Sequence, residues 1–234
     1  MGRLLQGWDR TGQRSAEEMI AEARKAFFVM FGFMVAVWAL QLVNWLSDYR
    51  LDMDFGVVPH DPSRLGAILA APFLHFGWDH IEANSGPLFV FGFLAAYRGV
   101  VRFLWLTLLV AVTSGLAVWL FQGGDTLVVG ASGVIFGYFG YVVLRGLFDR
   151  RLVDTLIGLV MAASFAYMVT VAVPGTPGVS WLAHLGGLVG GMVGAYLLRD
   201  GRRPTAVSGA GRPAAPLDSG RTDLHKELRD LGLL

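Results

Sequence analysis

The 234-residue chain contains no cysteine. That excludes disulfide staples, a thiol nucleophile and any thiolate metal site, and it leaves the redox compartment unmarked. Charge is also scarce: 16% of residues are Asp, Glu, Lys or Arg, against roughly 25% in an average soluble domain. The formal net charge is +1, so no surplus of either sign points to a partner, and no nucleic-acid partner is expected. What remains is apolar. Hydrophobic residues make up 54% of the chain and gather in runs of roughly 17 to 23 residues, the length of helix that crosses a hydrocarbon core of ~30 Å. The composition is that of an all-α membrane protein.

Six runs read as membrane spans: 27–46, about 78–97, 100–121, 129–148, 152–173 and 179–198. Ahead of them, residues 1–26 mix charge with scattered apolar positions, and Ser15-Ala16-Glu17-Glu18 places acids in the first turn of a helix. This segment reads as a cytoplasmic or interfacial helix. A cleaved signal peptide is not expected, because Glu17, Glu18 and Glu22 precede an apolar stretch too long for one. Between the first two spans, residues 65–74 are apolar but too short to cross, so 48–77 reads as a structured interfacial loop. From Arg199 the chain turns basic and rich in Gly and Pro, a flexible tail that could close in a small surface helix at 222–234. The expected organisation is therefore an N-terminal segment 1–26, a six-helix domain 27–198 and a tail 199–234.

Orientation follows from where Lys and Arg fall. With the N-terminus inside, all 19 except Arg50 and Arg64 lie on the cytoplasmic side, so both termini are expected there, in a multi-pass protein of the cell membrane.

Polar side chains at membrane depth are costly and point to function, whereas Ser and Gly within a span serve equally as close-packing devices. Ser132, in Gly130-Ala131-Ser132-Gly133, reads either way on its own. His184 needs a partner if buried, and His80 with Asn84 could satisfy each other near the headgroups. Topology favours function. Spans two, four and six run in the same direction, and all four residues lie within roughly two helical turns of the outer start of their span, about 10 Å. His80 and Asn84, at i and i+4, share a helix face. Gly133 and Gly137 on span four, and Ala183, Gly187 and Gly191 beside Gly186, Gly190 and Gly194 on span six, are small-residue stripes that let backbones approach. Packed through them, Ser132 and His184 come within reach of a hydrogen bond, the arrangement that activates a weak alcohol nucleophile. The Ser132 N–H, in the first turn, has no intrahelical acceptor, and His80 and Asn84 could add donors for a developing oxyanion. Asp79 and Glu82 are expected to face the interface, leaving no third acid.

His75-x4-His80-x3-Asn84, Gly130-x-Ser132-Gly133 and Ala183-His184-x-Gly186-Gly187, in that order, resemble the motifs of the rhomboid family of intramembrane serine proteases. The likeness covers residues 27–198. It implies a six-transmembrane-helix rhomboid-like bundle with a structured first outer loop. In it Ser132 is the nucleophile, His184 the general base and then acid, and His80, Asn84 and Ser132 the oxyanion hole. Gly130, Gly133, Phe136 and Gly187 are motif or packing residues. Two departures stand out. Where the family often carries Trp-Arg in the first outer loop, Gly66-Ala67 stand near that place. Where many members have a tyrosine four residues after the nucleophile, this chain has Phe136, which keeps the ring without the hydroxyl. His75 reads as a loop-ordering histidine.

The activity expected from the resemblance is cleavage of membrane-spanning substrates near the outer leaflet, with no metal and no organic cofactor; oligomeric state is not legible. A helical substrate hides its scissile carbonyl, so segments with weak helix formers should be preferred. Two other readings stand beside it: a catalytically silent rhomboid-like protein that binds membrane clients, and a haem protein with His80 and His184 as axial ligands. The haem reading accounts for neither Ser132 nor Asn84.

Overall fold

Helix α1 runs from Ala16 to Leu46 without interruption. It holds no proline and one internal glycine, and Glu17 and Glu18 sit in its first turn, where acids complement the helix dipole. The acid-rich helix start and the first apolar run are thus one rod. The computed structural model describes residues 16–124, 126–171, 173–176, 178–200 and 228–230. The chain divides into two units, 1–199 and 200–234. Of the second, Asp200 and a helical turn at 228–230 are described; the expected tail and terminal helix, and the chain before Ala16, otherwise lie outside the described residues.

After α1, left-handed Asp48 and Tyr49 (φ 54° and 59°) turn the chain into α2, Arg50–Phe55. Short helical turns follow at Pro62–Arg64, α3 (Ala67–Ala70) and Ala71–Phe73. The apolar stretch 65–74 is therefore folded back, with Ala67, Ile68, Ala71 and Leu74 buried. Val57 and Val128 exchange both backbone hydrogen bonds at 3.0 Å, tying this segment to the loop ahead of α6. Among the described residues that bridge is the sole β feature, and the fold is all-α.

The longer helices are α4 (Trp78–Ala96), α5 (Val100–Phe121), α6 (Ser132–Asp149), α7 (Leu152–Ser164) and α9 (Trp181–Leu197), with a single turn α8 (Met168–Val171) before the last. Helix α6 is buried on all sides from Gly133 to Val142 and sits at the centre, packed on α9, α7, α4 and α5. Glycine decides how closely. A Cβ at Gly187 or Gly191 would lie 1.9 Å from the carbonyl oxygen of Gly133 or Gly137, so the α6–α9 seam is backbone against backbone. The second stripe of α9 serves α5: Cβ atoms at Gly186 and Gly190 would strike Ala117 and Thr113. Outward faces are apolar as well; Leu152 and Val153 are 73% and 70% exposed. Among the described residues, α1 and α5 are long and apolar enough to cross a membrane, and α7 and α9 are shorter apolar helices.

At the C-terminal end of α6, charge is buried and paired. Arg145 donates to Asp149 at 3.0 and 3.2 Å and lies 3.9 Å from Asp154 of α7. Arg98, from the α4–α5 turn, pairs with Asp154 and lies 3.8 Å from Asp149. Both guanidiniums are buried, and Arg145 also sits over the Tyr141 ring at 5.6 Å.

Candidate active site

The opposite end of α6 starts from a strained approach. Gly130 has φ +126°, and a Cβ there would lie 2.7 Å from the His80 ring. Glycine is required twice over, for the left-handed backbone and for the contact. Its N–H donates to the Ala71 carbonyl at 2.9 Å, and the next amide, Ala131 N–H, donates to His75 Nε2 at 3.4 Å. Ala131 offers no side-chain cap, so the first-turn amides of Ser132 and Gly133 face forward without intrahelical acceptors.

His184 enters from the first turn of α9. Ser180 caps that helix, its Oγ accepting from Ala183 N–H at 3.2 Å, and its carbonyl accepts the His184 N–H at 3.3 Å. The imidazole is buried, 4% exposed, and stacks on Phe136 with centroids 4.2 Å apart and planes within 14°. Phe136 stands one turn after Ser132 on α6, so the ring beneath the imidazole and the hydroxyl come from the same helix. From α4, Asn84 is buried, and its Nδ2 has no hydrogen-bond partner. His80 meets His75 edge to face at 5.0 Å.

Ser132, His184, His80, Asn84, Gly130 and Phe136 all line one cavity of about 730 Å³. Gly133 and Gly187 lie behind it on the α6–α9 seam. Asp79 and Glu82 are exposed, and among the described residues no carboxylate lines the cavity. The site thus joins a hydroxyl, two imidazoles, an unpaired amide donor and a helix N-terminus in a partly apolar pocket. Such a set can deprotonate an alcohol and stabilise an oxyanion.

Behind the cavity, His75 is fully buried. Burial, with His80 second, pushes its pKa down to about 3, so the ring is neutral. With Nε2 accepting, its proton sits on Nδ1. Beside it lies a polar group that sequence reasoning missed: Gln41, Asn44 and Asp52, all buried. Asn44 Nδ2 donates to the His75 carbonyl at 3.4 Å, and burial pushes the Asp52 carboxyl up, the Asn44 side chain opposing. The signal available was two amides three residues apart on an apolar helix, which mark one polar stripe. Gln122 and Ser180 were missed too, although Ser180 before an apolar run is an N-cap pattern.

Comparison with known proteins follows the same lines. The rhomboid-domain family profile matches residues 62–201. An uncharacterized protein of Mycobacterium tuberculosis is 38% identical over 174 residues, covering 71% of this chain and 72% of the relative. A Bacillus subtilis protein named "Putative rhomboid protease YdcA" is 26% identical over 186 residues, covering 74% of this chain and 92% of its own length. The chloroplastic Rhomboid-like protein 11 of Arabidopsis thaliana is 31% identical over 143 residues, covering 56% and 51%.

Proposed function

Because the chain belongs to the rhomboid family of membrane proteins, we propose that it is an intramembrane serine endopeptidase working through a Ser132/His184 dyad. The observation that carries this reading is the shared cavity, with a serine at a helix N-terminus, a buried histidine and an unpaired Asn84 amide on its walls.

Ser132 Oγ attacks the scissile carbonyl carbon as His184 takes the hydroxyl proton. The tetrahedral oxyanion accepts hydrogen bonds from the Ser132 N–H, Asn84 Nδ2 and His80. His184 then returns the proton to the leaving amine nitrogen as the C–N bond breaks. Water, deprotonated by the same imidazole, hydrolyses the acyl ester and regenerates the hydroxyl. No third acid is required, because stacking on Phe136 and the capped first turn of α9 hold the imidazole.

In this reading residues 27–198 form a six-span domain with both termini in the cytoplasm, and the cavity opens toward the outer leaflet. The substrate is a transmembrane segment that enters from the bilayer and unwinds locally to present its carbonyl. The test is cleavage of a model transmembrane substrate in liposomes with parallel fluorophosphonate labelling. Turnover and labelling that depend on Ser132, and weaken in His184→Ala, support the protease. Equal turnover by wild type and Ser132→Ala sinks it, and client capture without turnover marks the silent binding protein instead.

A further inference from the structure

Two polar residues on the cavity wall, Gln122 and Ser180, neither carry a proton nor touch a reacting atom in the chemistry just described. Ser180 Oγ donates to Gln122 Oε1 at 2.6 Å while accepting from Ala183 N–H at 3.2 Å. Gln122 is itself held on two sides: its backbone N–H donates to the Val118 carbonyl at 3.0 Å and its Nε2 to Thr126 Oγ1 at 3.3 Å. A serine hydroxyl has one proton, and a capping oxygen keeps its direction when that proton has a fixed acceptor. Gln122 supplies the acceptor.

The leverage falls on His184. It stands one turn beyond Ser180, and its own N–H is bound to the Ser180 carbonyl at 3.3 Å. The rest of α9 is clamped by glycine contacts from Gly186 onward, but a glycine-rich helix has low intrinsic stability. The first turn lies ahead of that clamp: its Ala183 carbonyl accepts from Ser114 Oγ at 2.9 Å, and its free amide end is held by the Ser180 cap. Thr126 belongs to the loop that leads to Ser132, so one carboxamide ties the helix of the imidazole to the segment that delivers the hydroxyl.

We propose that Gln122 is a positioning residue for the general base: through Ser180 it fixes the first turn of α9 and so the aim of the His184 imidazole at Ser132. The assignment rests on the serine-protease reading above.

The experiment compares steady-state cleavage of one transmembrane substrate in liposomes by wild type, Ser132→Ala, Gln122→Leu, Ser180→Ala, their double variant, Ser180→Thr and Gln122→Glu. Thermal unfolding in detergent gives the folded fraction to which kcat is referred. Gln122→Leu and Ser180→Ala are each expected to lower kcat about tenfold with KM unchanged, and the double variant no further, because both break one link. Ser180→Thr, which keeps donor and acceptor, recovers most of kcat. Gln122→Glu keeps an acceptor oxygen and adds an anion beside the first turn of α9, which favours the imidazolium, so the acid limb of the pH profile of kcat, through which the base must lose its proton, moves to higher pH. His80 and Tyr167, the other titratable groups on the cavity wall, are common to both proteins. Losses that multiply in the double variant, an effect on KM alone, single variants at wild-type kcat or an unshifted Gln122→Glu profile each overturn the positioning role. Equal turnover by wild type and Ser132→Ala overturns the protease reading and the positioning role with it. Dependence on Ser132 beside unimpaired Gln122 and Ser180 variants overturns the positioning role alone.

Discussion

Helix α6 begins at Ser132 beside a cavity of about 730 Å³ and ends at Asp149 among buried ion pairs. At the first end Asn84 Nδ2 is buried without a partner and the first-turn amides face forward. At the second, Asp149 and Asp154 receive two guanidiniums. A buried polar group left unpaired is destabilising, and Asn84 Nδ2 stands on the cavity wall where a substrate oxygen could satisfy it. Buried charges that hold helices together are paired. On the serine-protease reading, one helix carries a reactive end and a structural end, and substitutions at the two should separate activity from stability.

The widest separation compares Ser132→Ala with Asp149→Asn. Removing the hydroxyl should lower turnover by roughly 10⁶-fold, the scale on which serine-hydrolase nucleophiles are lost, with the detergent melting curve unchanged. Neutralising Asp149 leaves Arg145 and Arg98 short of an acceptor in a buried site and should cost about 3–5 kcal/mol of stability, while kcat per folded molecule stays near wild type. A melting loss in Ser132→Ala, or a stable but inactive Asp149→Asn, would break the division between the ends.

Next in size is Asn84→Ala. If Nδ2 donates to the oxyanion, kcat should fall by roughly 10²-fold, the effect of losing one such donor. KM should hold, because the bond forms only as charge develops. Removal of an unpaired buried amide should leave stability unchanged or slightly raised. A pure KM effect would move Asn84 from transition-state stabilisation to ground-state binding.

These contrasts also mark what local sequence could carry. The apolar runs, the two glycine stripes of α9 and the i, i+4 pair His80 and Asn84 are features of near neighbours, and each is readable from spacing. The rod of α1 was read as two pieces because charge at Glu22, Arg24 and Lys25 resembles a boundary, although nothing there breaks a helix. Arg98 with Asp154, Gln122 with Ser180 and Asn44 with His75 join residues 56, 58 and 31 positions apart. Such pairs appear only once the helices have packed, and Asp52 was hidden because an amphiphilic segment looks interfacial until α2 turns it inward. Spacing led to the expectation that the four candidate site residues converge, and they line one cavity; their roles are what the variants test.

A pH series sharpens the comparison further. His75 is neutral in the fold with its pKa near 3, below the ordinary value of about 6.5 in an unfolded chain. As pH falls from 6.5 toward 3, the unfolded chain takes a proton that the folded chain refuses, so stability is lost toward acid. The slope reaches about 1.4 kcal/mol per pH unit. His75→Gln, which keeps an acceptor for Ala131 N–H, should melt with a shallower pH dependence across that window, by one proton's worth of slope. An unchanged slope would show that acid acts elsewhere in the fold.

The smallest effects come from two rings in similar places. Phe136 lies under the His184 imidazole at 4.2 Å, and Tyr141 lies under the Arg145 guanidinium at 5.6 Å, so each end of α6 rests a nitrogen-bearing side chain on an aromatic face. Such contacts are worth about 0.5–1.5 kcal/mol, a few-fold to tenfold in a rate or an equilibrium. Phe136→Leu keeps volume but removes the flat support, and should lower kcat by that factor with little change in melting. Phe136→Tyr keeps the ring and should stay within about twofold of wild type. Tyr141→Leu should do the reverse, lowering the melting temperature while sparing kcat per folded molecule. If Phe136→Leu lowers stability and leaves kcat alone, the ring is core packing, and the imidazole's aim is set from its own helix, through the Ser180 cap.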